Sequence, residues 1–565
     1  MGGTPSRLAP DESATGNGTR LVGLSRGSAR GTLREAAENV AMAARLARDV
    51  APFLRQPVTV AEARAQVRLE LQHRTQRFLR LLDRAIFAEP ASPYRWLLAQ
   101  AGCERGDVHA LVRQEGLEGA LRRLVSAGVY VRFDEFKGRA DIVRGSARLT
   151  VSDRNFDNPL CRPHFPAPTG GSRGRPTRVR RSLPGMLDVT VTFALAREAY
   201  GVANARTLVW VGLSPVWAFI LGKLGTGVDA WFYPMDRTPR LAHAGFAYIR
   251  QLAQLGGHQL PAPQFCDLNE PERIVRWIAE HGSGDRPMVV NTVVSSAARV
   301  AVAAGRLGQP LTGVTFHTRS EPLTAARRSL IQSSGARVLA DYGAVEISSM
   351  AYGCPDENAA DDVHLATNRY AIVERERPVY AGGPTVRALL LTGLSPHSPK
   401  VLLNVEPGES AHLEERECEC SVGALGLRTH LSQIRSFEKL SSEGTTFARG
   451  NTLQILETVL PARFGGSALD YQLVEEAGTD GATRLVLRIH PGVGPLDVEV
   501  VRTVFLSELG RDSLADTYQA NLIRRAESVV VRRLPPLATT AGKVLPFQLA
   551  RAGVEAPIAA SATGL

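Results

Sequence analysis

The sequence predicts an α/β protein in three parts: a helical N-terminal region, a core built on a largely parallel sheet, and a small α+β domain near the C-terminal end. Three observations carry this. From Thr32 to about Glu89 apolar residues recur at helical spacing, in "LREAAENVAMAARLARDVAPFL" and "VRLELQHRTQRFLRLLDRAIF". Short β-branched runs bounded by turn residues then alternate with helical ones. After about Ile434 the texture changes again, to "YQLVEEAG", "TRLVLRIHPG", "DVEVVRTVFLSELG" and "ESVVVRRLPPL".

Taken in order, residues 1–30 are polar and rich in Gly and Ser, and are expected to be disordered. Residues 31–150 form the helical region, continued by "SPYRWLLAQAG" and "VHALVRQEGLEGALRRLVSAG". Residues 151–434 form the core. Its expected buried strands are "TLVWVGLSP", "RPMVVNTVVSS", "LTGVTFHT", "ARVLADYG", "RALLLTGLS" and "KVLLNVEPG"; "RVAVAAGRLG" and "TAARRSLIQSSG" are helices between some of them. Residues 435–551 form the small domain, and 552–565 a loose tail.

A chain of 565 residues holds two or more domains, and 44 % hydrophobic with 22 % charged residues is an ordinary globular composition. No apolar run reaches bilayer-spanning length, so no membrane partner is expected. The first residues lack the apolar segment of a secretory signal, and the expected compartment is the cytoplasm. The net charge of +11 suits anionic ligands such as nucleotides or coenzyme A. The arginines are scattered, with no basic block interleaved with aromatics, so no nucleic-acid partner is expected. Of the six cysteines, Cys103, Cys161 and Cys266 are isolated and read as small buried hydrophobes.

One stretch stands apart: "APTGGSRGRPTRV", Ala167 to Val179. Glycines let backbone N–H groups turn toward an anion, hydroxyls add donors, and Arg173 and Arg175 add charge: the parts of a phosphate cradle. Gly170–Gly174 also has the G-x-S-x-G form of a hydrolase elbow, but an elbow joins a strand to a helix, and the flanking prolines fit neither. A Gly/Ser linker is the third reading.

Four other stretches bear on the choice: "DYGAVEIS" after a strand, with "HTRSEPLT" just upstream; "LLLTGLSPHSPKVLLNVEPGE", ending at Glu409; "IRSFEKL", opening the last domain; and "LPPLATTAGKVLPFQLAR", closing it with Lys543. In this order the five resemble the adenylate-forming superfamily of acyl-CoA synthetases, adenylation domains and luciferases, and most the phenylacetate–CoA ligase branch. The resemblance runs from about Phe156 to Arg551. It implies a large multi-sheet adenylation domain and a small mobile C-terminal lid.

The resemblance also implies roles. The loop, with Thr169, Gly170, Gly171, Ser172, Arg173, Gly174, Arg175 and Thr177, would grip the ATP phosphates; Arg173 stands where the family has threonine, and Arg175 where it has lysine. Tyr342 and Gly343 would line the nucleotide pocket, and Glu346 would hold Mg²⁺. Glu409 stands where the family places an aspartate on the ribose. Arg435 matches the nucleotide-contacting arginine beside a hinge, whose acid falls at Glu438 or Lys439. Lys543 matches the lysine that reaches the carboxylate and α-phosphate during adenylation, and Trp217, Tyr233 and His317 fall where the acyl pocket is expected. Some relatives carry a structural zinc; Cys354, His364, Cys418 and Cys420 are the residues present for it, with His430 a substitute.

The expected function is therefore ATP-dependent activation of a small aryl or hydrophobic carboxylic acid, then transfer to coenzyme A. Transfer to an amine or a carrier-protein thiol is the first alternative. A nucleotide-binding member without catalysis is the second, which the departures at Arg173, Arg175 and Glu409 keep open. The chain is expected to be a monomer or homodimer.

Overall fold

The computed structural model describes residues 26–168, 178–234, 240–282, 286–320, 323, 325–378, 385–436, 439–442, 445–448, 452, 454–466, 470–477, 483–511, 514–537 and 547–549. The first helix, Arg26–Leu54, opens inside the segment expected to be disordered. Helices Val60–Gln72, Arg74–Leu81, Pro93–Gln100 and Arg105–Ser126 follow. Val60–Gln72 starts where Thr59 and Glu62 cap each other's backbone, satisfying two orphan amides. Two antiparallel pairs come next: β1 (Ile142–Arg144) with β2 (Ala147–Leu149), and β3 (Phe165–Pro168) with β4 (Arg178–Arg181).

The core is a mixed sheet of twelve strands. Its parallel half is β5 (Arg206–Trp210), β6 (Ala230–Tyr233), β7 (Gln264–Phe265), β8 (Met288–Val293), β9 (Val314–Arg319) and β10 (Arg337–Ala344). Helices cross over between these strands and cover both faces, so β5, β8 and β9 are buried along nearly their whole length. That is why they read as unbroken apolar runs. The second half is antiparallel: β11 (Ser348–Gly353), β12 (Val363–Leu365), β13 (Tyr370–Pro378), β14 (Thr385–Gly393), β15 (Glu409–Glu415) and β16 (Thr429–Ser436). The parallel and antiparallel halves are thus continuous through β10. "KVLLNVEPG" was expected to be a strand; instead it makes only isolated bridges at Lys400 and Val405.

The helix Leu183–Ala199 follows β4 directly. Ser182 accepts a hydrogen bond from the Gly185 amide at 3.1 Å and Pro184 sits in the first turn, both of which start a helix. It is buried on nearly all sides, lying between the sheet and the N-terminal helices. Register fixes which residues share its side of the sheet. Trp231, Val209, Asn291, His317 and Leu339 are paired in one row across β6, β5, β8, β9 and β10, so their side chains leave the same face.

Beyond Ser436 come a hairpin, β17 (Lys439–Ser442) and β18 (Thr445–Ala448), and a four-stranded sheet. That sheet holds β19 (Tyr471–Ala477), β20 (Thr483–Ile489), β21 (Val529–Arg532) and β22 (Phe547–Leu549), with helices Val498–Leu509 and Leu514–Arg525. It has its own core around Leu473, Leu487, Phe505 and Ile523. Among the described residues no helix is long and apolar enough to cross a membrane.

Candidate active site

The glycine-rich loop, Thr169 to Thr177, lies outside the described residues, but its two stems are antiparallel strands, with Pro168 opposite Arg178. A strand, not a helix, follows it, so the nucleophile-elbow reading of Ser172 falls. At the loop's exit Arg181 is buried. It donates to the Val345 carbonyl at 2.5 Å and the Ser348 hydroxyl at 3.1 Å, tying the stem to the turn between β10 and β11. Burial and the nearby Arg319 lower its guanidinium to about 10.

That turn carries the Tyr-Gly-x-x-Glu residues. Tyr342 and Gly343 sit at a register shift in the β10–β11 pairing. A Cβ on Gly343 would meet the Ser348 carbonyl oxygen at 2.0 Å, so only glycine fits there without moving the backbone. The Tyr342 hydroxyl donates to the carboxylate of Glu409, at the start of β15. Burial and that carboxylate push the phenol well above its usual pKa, so it stays a donor. On the neighbouring strand Arg435 is paired with Ser410, beside Glu409, and its guanidinium meets Asp361 at 2.9 Å. Asp361 also accepts the backbone amides of Gln433 and Ile434, at 2.8 and 3.0 Å.

Glu346 is buried, and its carboxylate forms an ion pair with Lys137, which directly follows the short helix Phe133–Phe136. The N-terminal region, which carried no readable motif, thus supplies a cation to this site. Lys543 and Glu438 lie outside the described residues, and of Lys439 only the backbone is described.

Next to this cluster, at the carboxyl ends of the parallel strands, is an aromatic group. Phe193 lies 4.6 Å from the His317 ring and 5.7 Å from Trp217, and Trp217 meets His317 edge-on at 6.3 Å. Arg319 covers the Trp217 ring at 5.2 Å and reaches Asp341 at 3.2 Å. Burial, then Arg197 and Arg319, hold His317 well below its usual pKa, so its ring is neutral. Tyr233 stands on β6, separated from β9 by β8 and β5, and packs on His243 and Phe265 instead.

The four predicted zinc ligands converge. His364 Nε2 lies 3.1 Å from the Cys420 sulfur and 3.6 Å from Cys418, and the two sulfurs are 3.3 Å apart. The neighbouring Cys354 and His364 lower the Cys420 thiol below its usual range. His364 Nδ1 lies 2.8 Å from the Leu427 carbonyl, which as a donor contact fixes the tautomer and leaves Nε2 facing the sulfurs. His430 also belongs near this group: Asp362 engages its Nδ1 at 2.7 Å, and its buried Nε2 has no hydrogen-bond partner among the described residues, so it stands as an alternative ligand beside Cys354, His364 and Cys418. Soft sulfur donors, one imidazole and an oriented ring are a donor set that suits Zn²⁺.

Lys137, Arg181 and Arg319 were not foreseen; Asn291 lies in "VNTVVSS", a stretch expected to line the acyl pocket, but was not singled out. For Lys137 a signal existed. The chain has 67 lysines and arginines together, of which only Lys137, Lys223, Lys400, Lys439 and Lys543 are lysine. Two of the others are held in the interior by backbone carbonyls: Lys223 by Phe53, and Lys400 by Asp153. In so arginine-rich a chain, each lysine marks a place where a compact ammonium is needed.

No protein-family model matches the chain, and no curated protein matches it. Solved structures do. One is a 2-hydroxyisobutyryl-CoA ligase in complex with 2-HIB-AMP and CoA, at 14 % identity and a TM-score of 0.45, covering 88 % of this chain and 91 % of that one. Another is an amide bond synthetase from Marinactinospora thermotolerans, at 14 % identity and a TM-score of 0.38, covering 87 % and 97 %. A third is an o-succinylbenzoate CoA synthetase from Bacillus subtilis, at 12 % identity and a TM-score of 0.38, covering 68 % of each chain.

Proposed function

We propose that the protein is an ATP-dependent ligase that activates a carboxylic acid as an acyl-adenylate, releasing pyrophosphate, and then passes the acyl group to coenzyme A. The observation that carries this is the Tyr342–Glu409 hydrogen bond. It joins two motifs 67 positions apart, both of which the resemblance places at the nucleotide pocket. Arg435 beside Glu409 and Glu346 in the adjoining turn extend the same cluster.

The chemistry sets the requirements. A carboxylate oxygen bonds to the α-phosphorus of ATP as the bond to the β-phosphate oxygen breaks. Both partners are anions, so rate comes from positioning and from screening charge on the phosphoryl oxygens. Glu409, steadied by Tyr342, is the candidate acceptor for the ribose hydroxyls. Arg181 anchors the loop stem to the Glu346 turn, so the loop and the turn keep a fixed spacing. Lys137 brings positive charge to that turn. Glu346 fits Mg²⁺, being a hard oxygen donor whose charge already calls for a cation. When bound, the ion supplies screening of the phosphate oxygens. Lys543 is assigned to the carboxylate and α-phosphate, and the small domain to a lid that withdraws it before the thiol attacks. Trp217 and His317 are assigned to the acid, and Cys354, His364, Cys418 and Cys420 to a structural Zn²⁺.

The test is product analysis with ATP, Mg²⁺ and a library of acids. AMP and pyrophosphate, formed only when an acid is present, are expected; ADP and phosphate, or no turnover, would refute the reading. Adding coenzyme A, amines or a carrier protein then identifies the acceptor.

A further inference from the structure

In the row of side chains on the Leu183–Ala199 side of the sheet, two neighbours stand out. Asn291 and His317 are paired in register on β8 and β9, so their backbones lie about 5 Å apart. Asn291 is fully buried and His317 only 1 % exposed. Yet both amide atoms of Asn291 and both ring nitrogens of His317 lack a hydrogen-bond partner among the described residues. Such groups are costly to bury unmet, so a cluster of four unmet atoms marks a place for a polar ligand group. Its position agrees. Two residues further along the strands, Val211, Val293 and Arg319 are half-exposed, so the pair lies one layer beneath the carboxyl ends of the parallel strands, where α/β sheets bind ligands. The flat rings of Phe193 and Trp217 stand beside it.

We infer that Asn291 and His317 read a polar substituent on the acid, and that the substrate class is an aromatic acid bearing a ring hydroxyl or amino group. This rests on the acid-activating reading above. A neutral histidine offers one donor and one acceptor, and the amide offers both. Hydroxyl and aryl-amino groups match that pattern. A plain hydrocarbon would leave all four atoms unmet, and sites built to hydrogen-bond a substrate reject analogues lacking the group.

The experiment uses the full chain with benzoate, phenylacetate, their hydroxy and amino derivatives, and hexanoate. Pyrophosphate release is measured for the wild type, Asn291→Leu and His317→Phe. At least one hydroxy or amino acid is expected to exceed its unsubstituted parent by on the order of 100-fold in kcat/KM. Asn291→Leu should shrink that ratio at least tenfold while the KM for ATP holds. Since each variant exchanges unmet polar atoms for apolar ones, neither should lower the melting temperature. Equal turnover of substituted and parent acids, or a ratio unmoved in both variants, would overturn the inference. If no acid releases pyrophosphate, it is the ligase reading that fails. Equilibrium dialysis with the same acids then decides: selective binding lost in Asn291→Leu upholds the pair's role, and unselective binding removes it.

Discussion

At the scale of single residues, the Tyr342–Glu409 contact has the most consequence. The phenol donates to a carboxylate, a charge-assisted bond of about 1.5–3 kcal/mol. If its purpose is to hold the ribose acceptor, Glu409→Gln raises the KM for ATP about 10- to 100-fold and leaves the KM for the acid nearly unchanged. Titrating each substrate against pyrophosphate release checks this; an unchanged ATP KM would place Glu409 in a merely structural role. A second residue-scale effect is pH-dependent. Buried Asp188 accepts from the Ser395 hydroxyl at 2.6 Å and lies 3.5 Å from His397, whose pKa it raises above 6.5. A raised native pKa means the pair's stabilisation is complete below about 6.5 and fades as pH climbs through the higher native value. Urea unfolding should therefore show wild type ahead of His397→Gln at pH 6, with the gap closing by pH 9. A gap of equal size at both pH values would argue against the pair. Much at this scale was legible. Tyr342, Glu346, Glu409 and the converging cysteines and histidine sit in stretches whose residue types are dictated by chemistry. The stretch holding Asn291 was expected beside the acyl pocket, but the residue itself was not marked, and Arg181 was not foreseen, because an unmet amide or a buried guanidinium shows itself only once its surroundings are known.

At the scale of elements, the Cys/His group clips three pieces of chain: the end of β11, β12, and the stretch between β15 and β16. Those strands bracket Glu409 and lead from Glu346. One zinc per chain is expected by elemental analysis of protein purified without added metal. Cys420→Ser, or a strong chelator, should release it and lower the melting temperature, as structural zinc contributes directly to folding. Protein that carries no zinc, and whose melting point ignores chelators, would leave three reduced cysteines and a packed histidine. Element type was readable where burial was two-sided. "RPMVVNTVVSS" and "LTGVTFHT" became β8 and β9 because helices cover both their faces. The antiparallel strands were harder. β13 carries "ERERP" and β15 "ESAHLEE", half-exposed patterns set by pairing rather than by apolar content. "KVLLNVEPG" misled in the other direction: it is apolar because it is buried, with the amides of Val401 and Glu406 donating to Phe156 and Val131, and it pairs with β14 only locally, through Val405 with Leu391 and the Leu402 carbonyl with the Gly393 amide.

At the scale of the molecule, two bodies of sequence meet around one cluster: the helical region supplies Lys137, and the large sheet supplies Tyr342, Glu346, Glu409 and Arg435. Lys543, proposed to act at the same site, belongs to the small domain and lies outside the described residues. Described contacts between the small domain and the large one include the Arg525–Asp267 ion pair at 2.6 Å, Asn269 donating to the Arg525 carbonyl, Arg525 over the Phe265 ring at 5.4 Å, and Arg299 donating to the Ala526 carbonyl at 3.2 Å. A partly exposed ion pair of this kind is worth roughly 0.2–1 kcal/mol, so this pair adds little cost to the lid movement proposed above. In the proposed reaction a carboxylate is forced onto the α-phosphate with the help of one amine on that domain. The decisive measurement is acid-dependent pyrophosphate release by wild type and Lys543→Ala. Wild type is expected to release pyrophosphate with a suitable acid, while Lys543→Ala loses about 10²–10³-fold in rate and still binds ATP. Wild-type turnover in the lysine variant, or a wild type that never consumes ATP with any acid, would contradict it.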